Sequence, residues 1–188
     1  MPLIEDIDAD AVLFQFCREY LDEMKFPGDS LPRRHLPFQI AELLDSYLGR
    51  ECEKNKMPQM RWAYQIFGNC YNPHDPMLEH DFYSILKCAY MHEKCDSQTV
   101  QLYFREQLES LWWGQHHFPE SSCITKEEFE NIVGAAKKIL SEKTVEPQLV
   151  EAFAYYVKLY QIYFEWQNNN RNDSGKTDSQ HANNQNNQ

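Results

Sequence analysis

Apolar residues recur at intervals of three and four along most of the chain, and this periodicity constrains the fold more than any other feature. Such spacing places apolar side chains on one face of a helix. With Pro, Gly and turn-rich breaks between them, the periodic segments predict seven helices, at about 8–25, 37–49, 60–67, 76–89, 97–113, 125–140 and 147–167. No useful stretch alternates apolar with polar residues. We therefore expect an all-α fold whose helices pack as helix–loop–helix pairs.

Length and composition limit the number of domains. The chain has 188 residues, of which 42% are hydrophobic and 14% aromatic, enough for one sizeable core. We expect residues 1–167 to form a single helical domain. Residues 168–188 are dominated by Asn and Gln and have no apolar pattern, so burial cannot offset the entropy lost on ordering. A disordered C-terminal tail is predicted there.

The charge balance limits which partners the chain can bind, and the cysteines indicate its cellular compartment. The formal net charge is −11, with only short basic patches at 33–35 and 137–138, whereas duplex nucleic acid requires clustered Lys and Arg. No run approaches the roughly 18 apolar residues of a membrane span, so no membrane insertion is expected. The acidic start of the chain lacks the basic region of a signal peptide. Its six unclustered cysteines therefore suggest free thiols in a cytoplasmic or nuclear protein.

Two similar helix–loop–helix units follow one another between about residues 60 and 140. In each, a helix ends in an aromatic residue and Gly, and a turn-rich loop leads to an acidic residue and Phe, the loops being 69–81 and 115–128. In the second unit, Ile124, Glu128 and Phe129 match the central hydrophobic position, the last ligand and the following aromatic of an EF-hand. Met77, Asp81 and Phe82 match them in the first. Over 60–140 the chain therefore resembles degenerate EF-hand proteins.

Both loops depart from the EF-hand pattern where calcium would bind. A calcium loop needs oxygen ligands at positions one, three and five, and Gly at position six. The second loop has His117, Pro119, Ser121 and Ser122 there, and the first has Cys70, Asn72, His74 and Asp75. The resemblance implies a calcium-independent member whose fixed groove holds a partner's amphipathic helix. We expect no calcium binding and no cofactor.

A cluster of soft ligands offers an alternative, a small zinc-binding helical protein. Zinc prefers Cys and His in a tetrahedron. Five such residues lie close in sequence: Cys70, His74, Cys88, His92 and Cys95. Their spacing does not match the usual paired knuckles. The competing interpretation places Cys88 and Cys95 in the core as small residues and His92 at a helix edge.

A second alternative is a helical enzyme of unknown class. His116 and His117 lie beside a tryptophan pair in a predicted loop, where an imidazole titrates near neutral pH and can act as a base. No Ser, Cys or Asp at a recognisable spacing completes a catalytic triad. The six glycines provide no phosphate-binding loop. A non-enzymatic role is favoured.

The aromatic residues are the most useful indication of function. Trp and Tyr are favoured anchors at interfaces, although an aromatic-rich core would also account for most of them. Trp112 and Trp113 cannot both point into one core, because neighbours lie about 100° apart around a helix. We expect an adaptor or regulatory subunit whose apolar groove binds a basic amphipathic helical segment of a partner protein. The predicted partner-binding residues are Trp62, Phe67, Trp112, Trp113, Phe118, Tyr156, Tyr160 and Tyr163.

Overall fold

The computed structural model describes the backbone of residues 8–23, 36–68 and 82–182, and the side chains of these residues except Glu23, Phe82 and 171–182. Within these ranges all regular structure is helical, which confirms the predicted all-α fold class. The seven α-helices are α1 (Ala9–Cys17), α2 (Phe38–Glu53), α3 (Gln59–Phe67), α4 (Phe82–Met91), α5 (Ser97–Gly114), α6 (Lys126–Glu142) and α7 (Pro147–Ala182). A π-helical segment, Arg18–Glu23, directly continues α1.

Backbone contacts divide the chain into two compact units, Met1–Tyr103 and Phe104–Gln188, here called the N-terminal and C-terminal units. The boundary lies within α5, so this one helix contributes residues to both. Each unit has its own buried side chains. The single domain expected over 1–167 stays a prediction.

The core of the N-terminal unit lies among α1, the π-helical segment, α2 and α3. Apolar residues at spacings of three and four on each helix supply it, as the periodicity predicts. The cluster consists of Leu13, Cys17, Leu21, Leu44, Tyr47, Leu48, Trp62, Ala63, Ile66 and Phe67. Phe14 packs edge-on against Trp62, with 5.2 Å between ring centroids. This core encloses the largest aromatic side chain of α3.

A charged side chain, Arg61, is also buried in the N-terminal unit, with 3% of its side chain exposed. Its guanidinium lies 2.8 Å from Asp22 and 3.0 Å from Asp96. It also donates hydrogen bonds to Gln65 (2.8 Å) and Gln98 (2.7 Å). A buried charge is tolerated when it is paired and hydrogen-bonded in this way.

Local sequence signals predict the starts of α5 and α6 correctly. Thr125 Oγ1 accepts a hydrogen bond from the Glu128 backbone N–H (3.1 Å), and the Thr125 backbone N–H donates to Glu128 Oε2 (2.7 Å), completing the capping box at the start of α6. Asp96 caps α5 by accepting from the Thr99 backbone N–H at 2.8 Å. The start predicted for the fourth helix at Asp75 and Pro76 lies outside the described residues.

Two helices, α2 and α7, extend at least four residues beyond their predicted ends. α2 passes Gly49 and ends at Glu53, because one helical Gly costs only about 1 kcal/mol and Glu51 beyond it is buried. α7 continues past Gln167 to Ala182. Asn168, Asn169 and Asn170, the part of this extension whose side chains the structure describes, are exposed, in keeping with the lack of an apolar pattern. No helix in the described ranges is both long and apolar enough to cross a membrane.

Candidate functional site

Tyr160 of α7 is the centre of the C-terminal unit and is fully buried. Its hydroxyl donates a hydrogen bond to the backbone oxygen of Leu111 in α5 (2.9 Å). Its ring contacts Phe118 edge-on and stacks on Phe129 of α6, at centroid distances of 5.0 and 4.9 Å. Burial raises the pKa of Tyr160, so the hydroxyl stays protonated and keeps its role as donor. One side chain thereby joins α5, α6, α7 and the loop between α5 and α6.

The end of α5 approaches Tyr160 so closely that only Gly fits there. A Cβ on Gly114 would lie 2.1 Å from the Tyr160 hydroxyl oxygen and 2.7 Å from Cγ1 of Ile124. The loop then folds back on the helix end. The Cys123 backbone N–H and the Ser122 hydroxyl both donate to the Gly114 carbonyl, at 2.8 and 3.2 Å. These contacts hold loop 115–124 against the aromatic centre.

The loop and α7 together form an apolar groove. Phe118 stacks flat on Tyr163, with 4.0 Å between centroids and 10° between the ring planes. The groove beside this pair has a volume of about 370 Å³ and is lined by Phe118, Pro119, Leu159, Ile162, Tyr163 and Trp166. Ile162 is 55% exposed and Trp166 46% exposed. Because none of the lining side chains is charged, the groove suits apolar side chains better than an ionic ligand.

The tryptophan pair forms another exposed aromatic surface of the same unit. Trp112 and Trp113 contact each other at 5.3 Å, and both contact the His116 ring. Both tryptophans are exposed, which agrees with the expectation that they cannot share one core. His116 and His117 are also exposed, with their rings 6.0 Å apart, and neither lines the groove.

The structure brings together only part of the predicted partner-binding set. Trp62 and Phe67 are fully buried in the N-terminal unit, so neither presents a surface to a partner. Their aromatic residue type suggests anchors, but both belong to the core face of α3. Tyr160 is likewise a core residue rather than a contact residue. Tyr156 is half-buried against Tyr155.

Phe118 and Tyr163 do line the groove, but four of its residues are missing from the predicted set. These are Pro119, Leu159, Ile162 and Trp166. Three of the four lie on α7 at spacings of three and four, and this could have indicated them. Periodicity alone does not show which apolar face of α7 its own unit covers.

The proposed zinc ligands are only partly described, since Cys70 and His74 lie outside the described residues. Cys88 is exposed, which corrects the expectation that it is a core residue. His92 Nδ1 accepts a hydrogen bond from the Lys94 backbone N–H (3.0 Å), and the Cys95 thiol donates to the Asp96 backbone oxygen (3.7 Å). In the part of the chain that the structure describes, no group of three or more His, Cys, Asp or Glu side chains could hold a metal ion.

The second EF-hand-like loop has its last acidic residue in a structural role. Glu128 belongs to the capping box, and hydrogen bonds from Thr125 lower the pKa of its carboxyl group. The first loop, 69–81, lies outside the described residues. The resemblance to EF-hands stays a prediction.

No family model, no curated protein and no solved structure matches this chain. The lining, the exposure and the rigid support of the groove are therefore the observations that bear on function.

Proposed function

We propose that the chain is a non-enzymatic adaptor or regulatory subunit that holds an amphipathic helix of a partner protein in the groove of its C-terminal unit. The observation that carries this proposal is the apolar lining of the groove, with Ile162 and Trp166 each about half exposed. Removing apolar surface from water contributes about 25 cal/mol per Å². Tryptophan is also among the residues that most often dominate binding energy at protein interfaces.

The groove is formed before any partner arrives, which lowers the entropic cost of binding. Phe118 is stacked on Tyr163, and hydrogen bonds to the Gly114 carbonyl hold the loop that carries Phe118. Loop 115–128 also lacks the carboxylates that a calcium loop carries at EF-hand positions one, three and five, and the Gly at position six. Binding to the groove is therefore expected to be independent of calcium.

The charge of the chain favours a basic partner segment. The formal net charge is −11, and Glu120 and Glu165, next in sequence to the groove residues Pro119 and Trp166, are exposed. Complementary charge increases the association rate and selects among partners. A cytoplasmic or nuclear protein with an amphipathic helix that is apolar on one face and basic on the other would fit.

Affinity purification of the tagged full chain from its native cell, with a groove variant beside it, tests this function. Ile162→Glu should abolish recovery of a chain that co-purifies with the wild type at moderate salt. The matched control is Leu43→Glu, which places the same charge on an exposed leucine (52%) of the N-terminal unit. Both variants should fold, because both side chains are largely exposed.

The two variants must differ for the proposal to stand. Loss of the partner with Ile162→Glu and its retention with Leu43→Glu would support binding in the groove. Equal recovery with both variants, or no co-purifying chain at all, would contradict it.

A further inference from the structure

Helix α7 has an apolar stripe that its own unit leaves partly uncovered. Its residues follow one another at spacings of three, four, three and four: Ala152, Tyr155, Leu159, Ile162 and Trp166. This alternation is that of positions a and d in a heptad repeat, with Tyr155 and Ile162 at d and the others at a. Tyr155 is 63% exposed, and Ile162 and Trp166 are about half exposed. The stripe therefore has the pattern of a seam between two helices.

The seam is distinct from the face that packs inside the unit. Phe153, Tyr160 and Tyr163, at the neighbouring b and e positions, are buried. Tyr156, also at e, is half-buried. Packing within the unit thus explains why aromatic residues occupy the b and e positions. It does not explain why the exposed a and d positions are apolar.

An antiparallel second copy would cover this stripe with like-sized partners. With a twofold axis between residues 160 and 161, Leu159 lies opposite Ile162 of the second copy. Tyr155 then lies opposite Trp166 of the second copy, an aromatic pair of the kind that contributes beyond its buried area. The symmetry repeats both pairs, as an isologous interface requires.

The charges beside the seam fit the same register. The g positions are Glu151, Lys158 and Glu165, and all three are exposed. In an antiparallel pair the g positions of one helix face the g positions of the other. Lys158 therefore lies on the same edge as Glu165 of the second copy. By symmetry, Glu165 lies on the same edge as Lys158 of the second copy. A parallel pair would instead place Lys158 beside Tyr163. The second copy thus gives both Lys158 and Glu165 an opposite charge on the same edge of the seam.

We propose that, when no other partner is bound, α7 of a second copy of this chain occupies the groove in the antiparallel orientation. The inference rests on the proposed function, because both concern the same groove. A partner helix must then displace the second copy, so self-association regulates access to the site.

Analytical ultracentrifugation of the purified full chain over a range of concentrations tests the inference. The wild type should sediment with about twice the 22.4 kDa mass of one chain. Ile162→Glu should raise the dimer dissociation constant about a hundredfold or more, because each interface then loses two buried isoleucines. Circular dichroism should show the same helix content in both proteins.

A charge exchange tests the register. Lys158→Glu and Glu165→Lys should each raise the dissociation constant about tenfold, since each turns two attractive pairs into two repulsive ones. The double variant K158E/E165K should restore wild-type affinity. The control is Lys137→Glu, on an exposed position of α6, which should leave the constant unchanged.

A wild type that is monomeric at every concentration would overturn the inference. So would a dimer unaffected by Ile162→Glu, or one in which the single charge reversals have no effect or the double variant restores nothing. The purification described above separates the two proposals. A monomer that still loses its partner with Ile162→Glu refutes self-association alone, whereas a seam-dependent dimer that captures no partner refutes the adaptor function alone.

Discussion

Arg61 in the N-terminal unit and Tyr160 in the C-terminal unit are both buried, but they are held in different ways. Arg61 is a charge surrounded by two carboxylates and two amides. Tyr160 is an aromatic ring among aromatic rings, with one backbone oxygen as the acceptor of its hydroxyl. The first arrangement depends on complete pairing, and the second depends on steric fit.

The surfaces of the two units differ accordingly. In the C-terminal unit aromatic contacts continue outward from Tyr160, through Phe118 and Tyr163, to Trp166, which is about half exposed. In the N-terminal unit Trp62 is enclosed, and its indole N–H donates to Asp22 at 2.9 Å. The rings that continue outward from Tyr160 thus support the candidate groove of the C-terminal unit.

The largest expected effect is on the charged centre. Arg61→Met removes the guanidinium and leaves Asp22 and Asp96 without their partner, which should lower the free energy of unfolding by about 3 kcal/mol. Urea denaturation measures the change. The matched control is Arg50→Met, whose ion pair with Asp10 is half exposed (47% and 50%) and should contribute less than about 1 kcal/mol. Equal effects of the two variants would contradict the claim that burial makes the pairing of Arg61 more important than that of an exposed arginine.

Steric fit at the aromatic centre is tested by Gly114→Ala. The new Cβ would meet the Tyr160 hydroxyl at 2.1 Å, so the variant should lose about 2 kcal/mol of unfolding free energy. In a Tyr160→Phe background, Gly114→Ala should lower the free energy of unfolding by less, because the hydroxyl oxygen nearest to the new Cβ is absent. Thermal unfolding of the four proteins gives the coupling energy.

The control for this second test is Gly134→Ala in α6, where a Cβ meets nothing within 4 Å. There the change should raise stability by about 0.5–1 kcal/mol, since Ala is the better helix former. Destabilisation by both Ala substitutions would show that the close approach at Gly114 is not the cause.

Glu51 provides a second test of paired charges in the N-terminal unit. Its buried carboxylate lies 2.7 Å from Lys54 and 2.6 Å from Lys56, and the hydrogen bond from Lys54 is the main cause of its lowered pKa. Because the pKa of this carboxyl is lower in the folded chain than in the unfolded chain, its ionised form stabilises the fold at pH values above the unfolded pKa. This stabilisation is lost as the pH falls through the folded pKa. Glu51→Gln should therefore cost about 1 kcal/mol at pH 7 and nothing in strong acid. Thermal unfolding between pH 7 and pH 3 measures this, and a cost independent of pH would contradict it.

The last prediction concerns reactivity and has no direct effect on stability. Burial raises the pKa of both Cys17 and Cys52 to about 12, whereas Cys88 and Cys123 are exposed. Alkylation requires the thiolate, so at pH 8 Cys17, which is buried, and Cys52, which is half-buried, should react roughly a thousandfold more slowly than the exposed thiols. Mass spectrometry of peptides after brief iodoacetamide treatment would show the order. Equally fast labelling of Cys17 would mean that the core of the N-terminal unit opens readily.

Local patterns were sufficient to predict most of the fold. Leu44, Tyr47 and Leu48 place one face of α2 in the core by spacing alone, and the Thr125–Glu128 pair marks the start of α6. Arg61 shows where such patterns are insufficient. Asp22 and Asp96, its partners, lie far from it in sequence, so no local window indicates that this arginine is buried.

The candidate site was less predictable than the fold. Trp62 and Trp166 are the same residue type on apolar helix faces, yet one is enclosed and the other lines the groove. Which apolar face of a helix is covered depends on how the whole chain packs, and a single sequence does not encode that in its spacing. Only Phe118 and Tyr163 of the groove were therefore in the predicted set.

The π-helical segment Arg18–Glu23 has an evolutionary consequence. A π turn contains more residues than an α turn, so a one-residue deletion in this segment could restore a regular α-helix without breaking it. The deletion would, however, rotate each residue that follows by about 100°. Asp22 would then no longer meet Arg61 and Trp62, both of which it now contacts. Lineages that shorten this segment should therefore also replace the arginine with an uncharged residue.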